Sequence, residues 1–472
     1  MGIAHWSVAL LLAWIVSSEA AKPNVILVMA DDLGWGDVGF NGNKIIQTPH
    51  LDAMAANGLT FSRFYAAAPV CSPTRGSCLT GRHPFRYGIP FANTGHMKPQ
   101  EETLAEILKG QGYATGHFGK WHLGTLTKTV KEANRGGSRG IAHFAPPQDH
   151  GFDICFSTES KVPTHAPLRK PDVFAKGASL KNGWDGLNPD DAWNPYGTHY
   201  WNERGEMVKD TMLEDDSKEI MDRALPFIEN SVGSKKPFLA VIWFHAPHLP
   251  VAASERHRAP YQKYSVHERN YFGCITALDE QVGRLRGALR DLGAADDTML
   301  WFCSDNGPEG GAKSPGSAGE FRGRKRALYE GGVRVPGLLE WPAVIKEPRT
   351  TAFAAVTSDY LPTTLAVLEM SRPQHPLDGV NLLPVIHGEM DQRAAPLGFQ
   401  SKGNVVWHEG AMKLVYTEKT PEKLELYDLE KDPSESKNLA ADQPDKALAM
   451  KKAALAWQAS CARSSEGHDY EK

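Results

Sequence analysis

Val25-Ile26-Leu27-Val28-Met29-Ala30-Asp31-Asp32-Leu33-Gly34 is an unbroken apolar, β-prone run that stops at two carboxylates. With no polar residue alternating through it, it reads as a strand buried on both faces. Two later stretches repeat the pattern. Phe238-Leu239-Ala240-Val241-Ile242-Trp243-Phe244 ends at His245-Ala246-Pro247-His248, and Thr298-Met299-Leu300-Trp301-Phe302-Cys303 ends at Ser304-Asp305-Asn306-Gly307. Helical stretches lie between them. Thr48-Pro49 places an N-cap and an N1 proline before Leu51, Met54 and Ala55, and Glu102-Thr103-Leu104 opens a helix that carries Ile107 and Leu108 and stops at Gly110. The longest, from about Tyr271 to Leu292, has Cys274, Ile275, Leu278, Val282, Leu285 and Leu289 at helical spacing. Buried strands alternating with helices predict an α/β fold, a large, mostly parallel sheet sandwiched by helices. Ligands of such sheets bind beyond the carboxyl ends of the strands, which gathers Asp31, Asp32, His248, Asp305 and Asn306 at one edge.

With 472 residues, 41% of them hydrophobic, the chain can bury a large core. A net charge of −4 offers no basic footprint for nucleic acid, so an anionic ligand has to be captured by a local cluster. Trp6 to Val16 is apolar but too short to span a bilayer, and Ser18-Glu19-Ala20 has small residues where a signal peptidase reads. Residues 1–20 are read as a signal peptide, with a retained N-terminal anchor as the alternative, and no transmembrane segment is expected beyond it. The mature protein is then exported, whether periplasmic, secreted or lumenal. Residues 22–388 form the main domain in this reading and 389–472 a small C-terminal subdomain. The latter has short antiparallel strands at Val405–Trp407, Met412–Tyr416 and Leu424–Tyr427, a helix from Lys446 to Ala459, and a polar, disordered tail from Ser464 to Lys472.

Asp31, Asp32, Asp305 and Asn306 provide oxygen ligands only, the choice of a hard divalent cation. Ca²⁺ takes about 6–8 oxygens and fits better than Mg²⁺, which retains water. A single Asp-Asp could equally be a turn or cap; two such clusters at strand ends favour the ion. Lys120 and His122 project to one side if their segment is extended. The six cysteines form no close metal-type pairs. Cys274 and Cys303 read as inert buried thiols, and Cys71 with Cys78 as buried thiols or a disulfide unless Cys71 is chemically special. Residues 125–210 mix Arg135, Arg139 and Lys161 with Trp184, Trp193, Tyr196 and Trp201 in a segment poor in strand signals. Such a mixture suits either an anionic sugar ligand or the packing of a long loop.

Cys71-Ser72-Pro73-Thr74-Arg75, with Leu79-Thr80-Gly81 after it, resembles the sulfatase signature C-x-[PA]-[ST]-R-x-x-x-L-T-G. Gly112-Tyr113-Ala114-Thr115 through Gly119-Lys120-Trp121-His122-Leu123-Gly124 is similar to the second signature of the same family. Ala246-Pro247-His248-Leu249-Pro250 is similar to its histidine-proline segment, with His245 the local competitor. Lys325, four residues before Tyr329-Glu330-Gly331-Gly332-Val333-Arg334, falls where the family has an active-site lysine, with Lys313 and Arg324 as competitors. The resemblance runs from about Asn24 to Pro336 and resumes at Leu426-Tyr427-Asp428-Leu429. It identifies a type I, formylglycine-dependent sulfatase of the alkaline phosphatase superfamily. Asp31 to Gly39 and Thr48 to Asp52 look like glycan sulfatases such as N-acetylgalactosamine sulfatases.

The resemblance implies that Cys71 is oxidised to formylglycine by a formylglycine-generating or sulfatase-maturating enzyme. It implies a metal site of Asp31, Asp32, residue 71, Asp305 and Asn306, and a catalytic set of Cys71, Arg75, Lys120, His122, His248, Asp305 and Lys325. A hydroxyl of the hydrated aldehyde then attacks the sulfur of a sulfated mono-, oligo- or polysaccharide, with Asp305 as base. His248 or Lys325 serves the leaving oxygen, and His122 deprotonates the second hydroxyl to expel sulfate. Ca²⁺, Lys120, Lys325 and Arg75 neutralise charge at the transferring group. The rivals are a phosphomonoesterase or phosphodiesterase of the same superfamily and, if Cys71 stays unmodified, a silent sulfated-glycan binding protein.

Overall fold

The structure, a computed structural model, describes residues 22–132 and 141–470. The proposed signal peptide, Arg135 and Arg139 lie outside the described residues. In chain order the main sheet contains β1 (Asn24–Ala30), β2 (Leu59–Phe61), β3 (Ala114–Lys120), β4 (Ile154–Thr158), β5 (Trp201–Asn202), β6 (Phe238–Trp243), β7 (Thr298–Ser304), β8 (Gly337–Glu340) and β9 (Arg349–Thr351). Their spatial order is β9-β2-β8-β7-β1-β6-β3-β4-β5. The central five, β7-β1-β6-β3-β4, are all parallel, while β8 pairs antiparallel with β7 and β5 antiparallel with β4.

The continuous apolar run of β1 follows from what covers the sheet. Val25, Leu27 and Met29 point into one core, with Leu79, Leu104, Leu108 and Trp121. Ile26, Val28 and Ala30 point into another, with Leu51, Met54, Ile220, Phe227, Ile275 and Leu278. The helices responsible are α2 (Cys71–Thr80) and α3 (Leu104–Gly110) on the first face, and α1 (Pro49–Ala55), α4 (Asp216–Gly233) and α5 (Val266–Asp291) on the second. With a period of two and both faces dry, every position has to be apolar. Thr103 caps α3 through a reciprocal bond with Glu106, and Ser265 does the same for α5 with Glu268.

The C-terminal region forms a four-stranded antiparallel sheet of β10 (Leu397–Ser401), β11 (Asn404–Glu409), β12 (Met412–Thr417) and β13 (Thr420–Asp428), with α6 (Pro444–Ser465) packed on one face. One expectation is corrected here. Ser464 to Tyr470 is ordered: α6 continues to Ser465, Asp469 pairs with the buried Arg82, and Tyr470 donates to Glu101. Arg82 and Glu101 are both almost wholly buried and pair with each other at 2.9 Å, and the polar tail gives each a second partner. Of the alternatives for Cys71 and Cys78, the structure has buried thiols and no disulfide between them, and Cys274 and Cys303 are free and buried as expected.

Candidate active site

Because the central strands are parallel, their carboxyl ends share one edge and the residues that follow them meet. Asp31 and Asp32 follow β1, Asp305 and Asn306 follow β7, His248 lies in the turn after β6, and Lys120 ends β3 with His122 just beyond it. Gly119 allows this approach: its φ is +103°, and a Cβ there would lie 2.0 Å from the carbonyl oxygen of Trp243. Cys71 is the first residue of α2, beneath a cavity of about 220 Å³ whose wall includes Lys120, His122, His248 and Lys325. A larger groove of about 760 Å³ lies at the opposite edge of the sheet. It has no nucleophile and no carboxylate cluster, so chemistry selects the smaller space.

The floor of the cavity is a network of buried charges. Lys120 Nζ lies 2.5 Å from Asp31 Oδ2, and Lys325 Nζ lies 2.6 Å from Asp32 Oδ1. Arg75, fully buried, donates to Asp305 Oδ2 at 2.7 Å and to the carbonyl of Lys120 at 2.9 Å, and its guanidinium lies 5.2 Å from the Trp243 ring. Arg75 therefore acts on the acidic floor from below and is absent from the cavity wall. His248 lines the cavity, donates from Nδ1 to the carbonyl of Leu249 at 2.7 Å and has Nε2 3.8 Å from Asp32 Oδ2. His245, the competing histidine, is wholly buried and engaged with Asp216 and Thr158.

These contacts set the protonation states. Burial raises the Asp31 carboxyl, but Lys120 above all, with Arg75 and Lys325, more than offsets it and holds it well below the usual range. Burial, with Asp31 nearby, pushes Asp305 up to about 7 despite Arg75, and burial also raises Asp32. Burial drives His248 well below the ordinary histidine value, so its ring is neutral, and raises the Cys71 thiol. Burial lowers Lys325, but Asp32 and other neighbouring acids outweigh it and keep the ammonium protonated.

The donor set fits a hard cation. Asp31, Cys71 and Asp305 offer ligand atoms within 4.8 Å of one another, as do Asp31, Asp32 and His248. Asp31 Oδ1 and Asn306 Oδ1 are buried without a hydrogen-bond donor among the described residues. Asn306 gives its amide nitrogen to Asp32 Oδ1 at 2.7 Å, which leaves its oxygen open. Two orphaned oxygens beside three crowded carboxylates are what a divalent ion resolves.

Several wall residues carry no motif. Asn93 Oδ1 lies 2.6 Å from His122 Nε2 and orients that ring, and Phe91, Ser160, Lys161 and Arg326 complete the wall. Lys161 was legible only as one cation in a mixed loop. The aromatics of that loop are elsewhere: Trp184 and Trp201 are buried, and Trp193 lies 4.1 Å under Arg169. Asp32, Asn93, His122 and Arg326 all have positive φ, a concentration of costly backbone at one place that marks a site under functional constraint.

Segment 321–334, which delivers Lys325, is held from the C-terminal sheet. Lys413 of β12, wholly buried, lies 3.0 Å from Glu330 and 2.7 Å from Glu435. Glu435 accepts from the Glu330 amide at 2.7 Å, and Tyr65 donates to Glu330 at 2.9 Å.

Comparison with known proteins follows the same lines. The family model described as Sulfatase matches residues 23–370, and one described as N-sulphoglucosamine sulphohydrolase, C-terminal, matches residues 319–458. The chain is 32% identical to N-acetylgalactosamine-6-sulfatase of Sus scrofa over 83% of its own length and 70% of the relative's. It is 31% identical to steryl-sulfatase of Mus musculus over 82% of its length and 69% of the relative's. Among solved structures, Ps i-CgsB in complex with k-i-k-neocarrahexaose is similar, with a TM-score of 0.76, 27% identity and coverage of 92% of each chain. A family model that begins at β1 and extends past β9, joined by curated relatives matched along most of the chain, makes this protein a member of the sulfatase family, a sulfuric ester hydrolase.

Proposed function

We propose that the protein removes sulfate from a sulfated carbohydrate, with position 71 converted from cysteine to formylglycine by a maturating enzyme before it acts. The observation that carries this reading is the placement of Cys71 at the start of α2, against a cavity walled by Lys120, His122, His248 and Lys325. An unmodified thiol there is a poor nucleophile, because burial raises its pKa and keeps it protonated. The converted residue supplies two geminal hydroxyls, one to attack sulfur and one whose deprotonation lets sulfate depart.

The remaining roles fall to the chain's own residues. Asp305, held by Arg75 at 2.7 Å and close to residue 71, serves as the base for the attacking hydroxyl. Arg75 beneath it fixes the carboxylate and adds positive charge under the nucleophile. Lys120 and Lys325 hold the sulfate oxygens, and their ammonium groups stabilise charge that grows in the transition state. His248 is neutral, with its Nδ1 proton committed to the carbonyl of Leu249. That arrangement favours Lys325 over His248 as the donor to the leaving oxygen. His122, oriented by Asn93, serves as base for release. Asp31, Asp32, Asp305, Asn306 and the converted residue would hold a Ca²⁺ ion. It would supply two positive charges to a site where Lys120 and Lys325 are each already paired with a carboxylate.

The apolar run before residue 20 supports export, and no helix among the described residues is long and apolar enough to cross a membrane. The substrate class is tested by incubating matured protein with a panel of sulfated sugars and a simple aryl sulfate and measuring inorganic sulfate. Release from sugars is expected, and release from none of them would overturn the reading.

A further inference from the structure

The cations around the cavity are balanced one against one, with a single exception. Lys120 has Asp31, Lys325 has Asp32, and Arg326 has Glu309 at 2.6 Å. Lys161 lines the same cavity, is half-buried, and forms no ion pair with a carboxylate of any described residue. Burial first, and then repulsion from Lys120 and Lys325, push its ammonium below the ordinary lysine range. A cation partly removed from water beside two others is unfavourable until an anion joins it.

Its place in the fold says which anion. Lys161 follows β4, and β4 is separated from β1 by β3 and β6. At roughly 4.8 Å per strand, the base of this residue is offset by about 14 Å from the strand that carries Asp31 and Asp32. Lys120, from the neighbouring β3, and Lys325 reach back to pair with those carboxylates and so already address the transferring sulfate. Lys161 pairs with neither carboxylate and lines the wall to their side, a position from which it can meet a group of the substrate outside the scissile ester.

We propose that Lys161 binds a second anionic group of the substrate, a further sulfate or a carboxylate on the same or the adjoining sugar, and so selects polyanionic over monosulfated sugars. This inference rests on the sulfatase reading of the cavity.

Three sugars test it. N-acetylgalactosamine 6-sulfate has one anion, N-acetylgalactosamine 4,6-disulfate adds a sulfate, and a uronate-linked N-acetylgalactosamine 6-sulfate disaccharide adds a carboxylate. For wild-type, Lys161→Gln and Lys161→Arg proteins, the readout is the ratio of kcat/KM for each two-anion sugar to that for the one-anion sugar. Lys161→Gln is expected to lower this ratio about tenfold for the sugar carrying the recognised anion, through KM, and Lys161→Arg to retain most of it. A ratio unchanged for both two-anion sugars overturns the proposal. So does an equal loss on all three, which would put Lys161 on the transferring sulfate. Calorimetric affinities for the same sugars are measured in parallel. If wild-type protein turns over none of them, the hydrolase reading fails for these sugars, while binding still decides the role of Lys161. An affinity loss confined to a two-anion sugar supports it, and a uniform loss or none overturns it.

Discussion

Lys325 and Asp32, 293 positions apart in the chain, form a buried ion pair in which the ammonium lies within 2.7 Å of both carboxylate oxygens. The pair joins the end of the first strand to a loop that the C-terminal sheet clamps through Glu330. Removing the ammonium strips the cavity of one charge-stabilising donor and leaves Asp32 unpaired. Lys325→Ala is expected to lower kcat/KM by about 10²–10³-fold, measured by release of inorganic sulfate. Lys325→Arg should recover part of it.

The crowded carboxylates predict dependence on a divalent cation. Exhaustive chelation is expected to reduce activity and lower Tm, with Ca²⁺ restoring both. A ligand at 100 times its Kd adds about 2.7 kcal/mol of stability. Asp32→Ala should lose bound metal and activity together, read by elemental analysis and turnover on the same sample.

Acid should act through the buried cluster between segment 321–334 and the C-terminal sheet. Burial alone would raise Glu330, but Lys413, His408 and Arg334 more than offset it and hold the carboxyl at about 2. Its folded value lies below its unfolded value of about 4.5. The stability it contributes is therefore fully present above about pH 4.5 and is lost as pH falls toward 2. Glu330→Gln should flatten the fall of Tm between about pH 5 and 3. Lys413→Met, which leaves Glu330 and Glu435 facing each other, should cost about 3–5 kcal/mol, measured by denaturant unfolding.

Lys120 and His122 are two residues apart but belong to different steps in this account. Lys120→Ala should slow the first release of alcohol from an activated sulfate ester. His122→Ala should preserve a pre-steady-state burst of alcohol, near one per site, and depress the steady state that follows. A His122→Ala burst as slow as its steady state would assign this histidine to the first step or to substrate binding.

Much of this site was legible because parallel sheets put chemistry at strand ends. Asp31, Asp32, Asp305 and Asn306 each follow a run too apolar to be anything but a doubly buried strand, so their convergence followed from topology. Cys71, Lys120 and His122 were legible through motif spacing. Asn93 and Lys161 were not, since each sits in a loop with no periodicity and its role depends on which distant residue it meets. The strands on one side of the sheet, β2, β8 and β9, have only three or four residues, too few for a period to register. Asp469 and Tyr470 looked like a free tail because their partners, Arg82 and Glu101, lie more than 350 residues away.

The central claim is that residue 71 acts as a formylglycine, and the mass of the peptide that carries it is the direct test. In active protein the account predicts a mass about 18 Da below the cysteine form, as an oxygen replaces the sulfur and two hydrogens are lost. Fully active protein whose residue 71 is quantitatively an intact thiol would contradict the account.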